Sequence, residues 1–274
     1  MLATETYIQR REELLSRLDS GLVLLLGHDD SPMNFTDNPY PFWQDSSFLY
    51  YLGLDQPGLA GLLDIDEDIC SLFGHEPTLD EIVWTGELPT LSERGAEVGL
   101  EYCRPIEELA DHLAAALQAG RTIHFLPPYR DTTTLQLARL LEIPSADVSK
   151  IASPELVAAV IAQRSIKSDE EIAEIELATD LAYEIHTLTM RLARPGMKEQ
   201  EVVGALEGLL ISKGSAVSFP VIFSVRGEVL HNHSHDNIMQ EGDLAILDAG
   251  ALSPSGYASD ITRTFPVGQP FSPR

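Results

Sequence analysis

Asp248 and Asp260 stand twelve residues apart, and both belong to runs that read as strands. Asp248 closes the apolar run Leu244-Ala245-Ile246-Leu247, while Asp260 lies in a second run from Tyr257 to Phe265, with Gly250, Pro254 and Gly256 between them. That pattern predicts a hairpin. Alternation along a strand puts Asp248 on one face with Leu244 and Ile246, and Asp260 on one face with Ala258, Thr262 and Thr264. Paired side by side, the two carboxylates would point together out of an apolar sheet, where their repulsion is relieved by a shared cation or by a proton. Hard oxygen donors of this kind suit Mn²⁺, Mg²⁺, Co²⁺ or Zn²⁺. The same residues also allow a plainer role as ordinary turn and strand-end aspartates. A carboxylate left unpaired after an apolar run is costly, which favours ligation.

Three histidines lie just upstream, in Leu230-His231-Asn232-His233-Ser234-His235-Asp236. Alternate histidines on an extended segment share a face and could hold a metal, or they could form a solvated polar loop, the reading that suits His233 and His235. His231 follows the apolar pair Val229-Leu230 and is the better candidate to face a pocket. His28, His75, His112, His124 and His186 have no partner at ligand spacing and read as structural.

Positioning such a hairpin takes a scaffold, and the chain is long enough for one of two domains, with 274 residues of which 44% are apolar. Ile8 to Leu18 has helical spacing and leads to the buried-strand run Leu22 to Leu26. Ser46 to Leu54, Leu59 to Ile65, Ile69 to Phe73 and Ile82 to Thr85 read as strands from their leucine, aromatic and β-branched content. Helical patterns follow at Leu91 to Val98, Ile106 to Ala119 and Thr133 to Leu141, with a strand at Thr122 to Leu126. The alternation predicts an α/β domain over residues 1–165, a mixed sheet with helices. A helix then runs over Ser153 to Arg164, and a long one starts at the N-cap Ser168 and stops at Pro195-Gly196. Another ends near Gly214, and the strands Phe219 to Val225, Leu244 to Ala249 and Tyr257 to Phe265 complete residues 166–274 as an α+β segment.

Charge narrows the trade of this protein. With 43 acidic and 18 basic residues the net charge is −25, which repels nucleic acid and anionic membranes. No apolar run nears the ~20 residues that span a bilayer, and the charged N-terminus lacks a signal-peptide core. Cys70 and Cys103 are the only cysteines, too few for a disulfide framework or a thiolate zinc site. A reducing, cytoplasmic setting is expected.

At these residues the sequence resembles the aminopeptidase P and prolidase family of metallopeptidases, whose catalytic domain has the pita-bread fold. Asp248-Ala-Gly250 followed by Gly256-Tyr-Ala-Ser-Asp260-Ile-Thr-Arg-Thr-Phe265 resembles the family segment that carries its first two metal-binding aspartates. His231 lies 17 positions before Asp248, where these enzymes carry a histidine that contacts substrate. Arg164-Ser-Ile-Lys-Ser-Asp-Glu-Glu-Ile172 and Pro195-Gly-Met-Lys-Glu199 are similar to its helix-entry and inter-helix turns. Phe42-Trp-Gln-Asp-Ser-Ser-Phe-Leu-Tyr-Tyr-Leu-Gly53, preceded by Arg10-Arg11, resembles the N-terminal domain of bacterial aminopeptidase P.

The resemblance implies a creatinase/aminopeptidase P-type N-terminal domain followed by the first part of a pita-bread domain. It implies hydrolysis of the bond between an N-terminal residue and proline, with a peptide carrying proline at its second position as substrate. Asp248 would bind one divalent ion and Asp260 would bridge two, Mn²⁺ above Zn²⁺ or Co²⁺. His231 would donate to the substrate or the developing oxyanion, and Phe219 would line the substrate side. The family's remaining ligands, one His and two Glu, follow this pair well downstream. Two carboxylates supply four oxygens against roughly 8–12 coordination positions for two ions, so the 274 residues are expected to hold metal weakly or not at all and to be inactive alone. A prolidase-type dipeptidase is the nearest rival, a metal-free creatinase is disfavoured by the two aspartates, and a non-catalytic binding or assembly protein, self-associating through its N-terminal domain, is the rival of another class.

Overall fold

The computed structural model describes residues 2–271, and the chain falls into two compact units, Met1–Ile166 and Lys167–Arg274. In the first, α1 (Thr4–Leu15) leads to β1 (Leu22–Leu26), and α2 (Ser46–Leu52) is followed by the antiparallel strands β2 (Ala60–Asp64) and β3 (Ile69–Gly74). Then come α3 (Leu79–Thr85), α4 (Leu91–Glu97), β4 (Tyr102–Pro105), α5 (Glu108–Gln118), β5 (Ile123–His124), α6 (Asp131–Leu140), a 3-10 turn at Ser145–Lys150 and α7 (Pro154–Ser165). The strands form one mixed sheet in the order β4-β3-β2-β1-β5, antiparallel across β1–β2 and β2–β3 and parallel across β1–β5 and β3–β4.

The unbroken apolar run of β1 follows from burial on both faces. Val23 and Leu25 join a core with Leu14, Phe48, Tyr51 and Leu156, whereas Leu22, Leu24 and Leu26 join one with Leu109, Leu113 and Leu137. A strand covered by helices on both sides needs no polar alternation.

Two segments expected as strands are helices. Ser46 to Leu54 folds as α2 because the Asp45 carboxylate caps it, accepting from the N–H groups of Ser47 and Phe48 at 2.9 Å. Gly53, at φ 66°, ends it with a bond from its N–H to the Leu49 carbonyl. Phe48, Tyr51 and Leu52 thus fall on one buried helical face, and aromatic content had mimicked strand composition. Ile82 to Thr85 lies in α3, where Thr78 and Glu81 form a reciprocal capping box and no residue is buried. In turn, β4 escapes sequence detection. Tyr-Cys-Arg-Pro lacks apolar alternation, and the strand lies at the sheet edge with Tyr102 exposed.

The second unit begins with α8 (Asp169–Leu192), whose N-cap Ser168 shares a capping box with Glu171, and α9 (Glu199–Ser212). A three-stranded antiparallel sheet follows, in the order β6-β7-β8: β6 (Ile222–Ser224), β7 (Leu244–Ala249) and β8 (Ile261–Pro266). The strands expected over Phe219 to Val225 and Tyr257 to Phe265 are shorter than the apolar runs. Pro220 has no N–H to give a ladder, and residues 257–260 belong to the connection. One sheet face, with Phe223, Ala245, Leu247, Ala249 and Phe265, packs with Ile185, Val202, Leu206 and Leu210 of the two helices. The opposite face carries the candidate site.

Candidate functional site

Register decides which side chains meet on that face. Asp248 stands opposite Ile222 on one side and Thr262 on the other. The β7–β8 register continues beyond Ala249–Ile261 into a bond from Ser259 N–H to the Ala251 carbonyl and a Leu252–Ala258 bridge. Asp260 therefore stands opposite Gly250. By pleat alternation Asp260 and Thr262 share a side, and directly opposed residues share one too, so Asp248 and Asp260 are diagonal neighbours on one face. Asp248 is half-buried and accepts the Thr262 hydroxyl at 2.7 Å, while Asp260 is exposed.

The connection between the two aspartates is held from beneath. The Ser259 hydroxyl, buried, donates to the Ala178 carbonyl of α8 at 2.8 Å and accepts from Ala251 N–H at 3.0 Å. Ser218 donates to the Ser259 carbonyl at 2.7 Å, and Tyr257 donates its hydroxyl to Glu171 at 2.9 Å. At Gly250 a Cβ would meet the Ser259 carbonyl oxygen at 1.7 Å, so backbone approach forbids a side chain opposite Asp260. His186 of α8 is buried with its Nε2 3.1 Å from the Ala249 carbonyl, and burial pushes its pKa below the usual histidine value.

Segment 225–237 covers the other end of the same face. Ser224, wholly buried, shares the Asp248 face through Ile222, two residues back, and its Oγ accepts from Arg226 N–H at 3.0 Å and from Asn232 Nδ2 at 3.1 Å. A Cβ on Gly227 would lie 3.5 Å from Ile246 Cγ2, which places that turn over β7. His231, beside Asn232, is exposed, as is His233. His235 is half-buried, with Nδ1 3.1 Å from the Phe223 carbonyl. Phe219 is half-buried at the bend before β6, next to Ser218. His28 and His124 are buried against backbone carbonyls in the first unit.

Two carboxylates on one sheet face are a fitting start for a hard cation, and Thr262 orients one of them. Among the described residues, no three His, Cys, Asp or Glu side chains gather as a metal-holding group. Sequence reasoning named the aspartates and missed what supports them: Gly250, Ser218, Ser224 and Ser259. Small residues in a polar stretch carry no periodic signal, though the continued hairpin register would have put Gly250 opposite Asp260.

Residues 7–124 match the aminopeptidase P N-terminal domain family, and residues 173–274 match metallopeptidase family M24. A probable Xaa-Pro aminopeptidase of Chaetomium globosum is 31% identical over 93% of this chain and 42% of its own length. The Xaa-Pro aminopeptidase of Escherichia coli is 25% identical over 99% of this chain and 64% of its own length. The chain thus spans about half the length of the curated relatives it matches. Among solved structures, proline aminopeptidase P II from Yersinia pestis superposes with a TM-score of 0.84 at 25% identity, covering 99% of this chain and 65% of that one. Zn-substituted E. coli aminopeptidase P in complex with product gives 0.84 at 25% identity, over 99% and 64%. No described helix is long and apolar enough to cross a membrane.

Proposed function

The chain belongs to the aminopeptidase P family of M24 metallopeptidases, and from that premise we propose that it supplies two carboxylate ligands, Asp248 and Asp260, to the metal centre of an Xaa-Pro aminopeptidase. The observation that carries this reading is the shared face of the two aspartates, diagonal across the β7–β8 hairpin. The names of the relatives, Xaa-Pro aminopeptidases, supply the substrate class: a peptide with proline in second place. Proline's tertiary amide has no N–H, so the site must hold the peptide without that donor.

Divalent cations bound at the two aspartates, Mn²⁺ first among them, would supply an activated water and polarise the scissile carbonyl. The chain's own residues do the rest of what is assigned here. Thr262 holds Asp248 by a hydrogen bond to Oδ1, leaving Oδ2 for the cation. Asp260 is set opposite Gly250, whose lack of a side chain lets the Ser259 carbonyl and the Ser218 hydroxyl pack there and fix the hairpin connection. His231 donates to the substrate carbonyl as charge develops on its oxygen, a contribution of about 2.7–4 kcal/mol for donors of this kind. Phe219 lines the substrate side.

Two carboxylates do not saturate two cations, and the reading assigns the remaining ligands to polypeptide outside these residues. The 274-residue chain alone is then a weak metal binder without turnover. The unpaired thiols Cys70 and Cys103 fit a reducing, cytoplasmic setting. The test is Mn²⁺-dependent release of the first residue from an Xaa-Pro tripeptide by the enzyme purified from its native cells. Turnover that is lost in Asp248→Asn and in Asp260→Asn supports the reading; turnover that survives both substitutions overturns it.

A further inference from the structure

Segment 225–237 contains His231, next to the Asn232 that bonds Ser224 on the Asp248 face, and both of its ends converge on one side chain. Glu199, in the first turn of α9, is 0% exposed. Its Oε1 accepts from Val225 N–H at 2.7 Å, at the start of the segment. Both of its oxygens accept from Asn237 Nδ2, at 3.2 and 3.1 Å, at the end. Its own N–H donates back to the Asn237 carbonyl at 3.1 Å. Burying a carboxyl group on neutral donors alone is expensive unless those bonds are well made, and few side chains could reach both strand exit and segment return at once. Between the two ends, Asn232 bonds Ser224 beside Ile222 and the Asp248 rung, Arg226 N–H donates to the same Ser224 hydroxyl, and His235 lies with Nδ1 3.1 Å from the Phe223 carbonyl while its own carbonyl accepts from Gln200 N–H at 3.0 Å.

We propose that Glu199 is a positioning residue, whose buried side chain gathers the two ends of segment 225–237 and so sets where His231 stands. The role assigned to His231 rests on the function proposed above, but the clamp itself does not need metal or peptide to be observed. Glu199→Ala removes every acceptor. Glu199→Gln keeps Oε1 for Val225 N–H, and Asn237 can turn its amide over to accept from the new NH₂.

The experiment is amide hydrogen exchange on the 274-residue chain without metal, read together with the backbone amide resonance of His231. Glu199→Ala is expected to speed exchange across residues 226–236 by about tenfold or more and to move the His231 amide toward its unstructured position, while α8, β7 and β8 keep their protection. Glu199→Gln is expected to recover most of that protection. Unchanged exchange over 226–236 in Glu199→Ala, a uniform rise across the whole second unit, or a Gln variant no better than Ala would each overturn the proposal. Should Glu199→Ala not fold, Glu199→Asp, one methylene too short to reach both ends, gives the same comparison. Failure here leaves the metal-ligand reading standing, because none of these readouts passes through Asp248 or Asp260.

Discussion

Thr262 donates its hydroxyl to Asp248 Oδ1 at 2.7 Å directly across the β7–β8 ladder, so the half-buried aspartate is oriented by a residue of the strand that leads away from Asp260. Thr262→Val keeps the branched shape and strand preference but deletes that donor. We expect it to lower the stability of the second unit by about 1 kcal/mol in urea titration, with Thr262→Ser close to wild type. Equal loss in both variants would mean that the bond contributes little.

Gly250 faces Asp260 across the hairpin, and an added Cβ would run into the Ser259 carbonyl at 1.7 Å with Ser218 Oγ at 2.4 Å. Both obstacles are fixed, one being backbone and the other bonded to it. Gly250→Ala is therefore expected to cost roughly 2–4 kcal/mol, seen as a lower urea midpoint for the second unit. A variant as stable as wild type would show that the hairpin connection is looser than drawn.

How far the sequence was legible depended on how each signal arises. Asp248 and Asp260 could be placed on one face because strand alternation is geometric and the apolar run Leu244–Leu247 fixes its phase. Long helices were legible for the same reason, with Ser168 and Pro195-Gly196 marking the ends of α8. Short elements were not. In α2 a cap residue and a left-handed glycine outweighed a strand-like composition over seven residues. In β4 an exposed edge removed the pattern altogether. The supports of the site, Ser224, Ser259 and Glu199, act through bonds to distant backbone, which no local spacing reports.

The helix at α2 depends on Asp45, which accepts from two backbone N–H groups and from the Tyr129 hydroxyl at 3.0 Å. Asp45→Ala should destabilise the first unit by about 1–2 kcal/mol, and Asp45→Asn by much less. If Ser46 to Leu54 paired as a strand instead, the two substitutions would be nearly equal in thermal unfolding.

Arg121 grips Asp64 and Asp66, donating to Asp64 Oδ2 at 2.8 Å and to Asp66 Oδ2 at 2.9 Å from Nε. Burial pushes the Asp64 carboxyl up, but bonds from Arg121 and from the N–H groups of Glu67 and Asp66 overcome it and hold the group below the usual carboxylate range. The unfolded chain then binds the proton more readily, so the stabilisation is complete above about pH 4 and is lost as pH falls through the folded value. Asp64→Asn should cost about 1–2 kcal/mol at neutral pH. Its unfolding curve should converge on that of wild type as pH falls through the folded value of Asp64, and a gap that stays constant with pH would contradict this origin.

The most direct test is calorimetric titration of Mn²⁺ into the 274-residue chain and into Asp248→Asn and Asp260→Asn. Two aspartates that converge on one cation, with other ligands supplied from elsewhere, predict binding weaker than about 10⁻⁴ M that disappears in either variant. Micromolar binding by the chain alone, or weak binding indifferent to both substitutions, would contradict it.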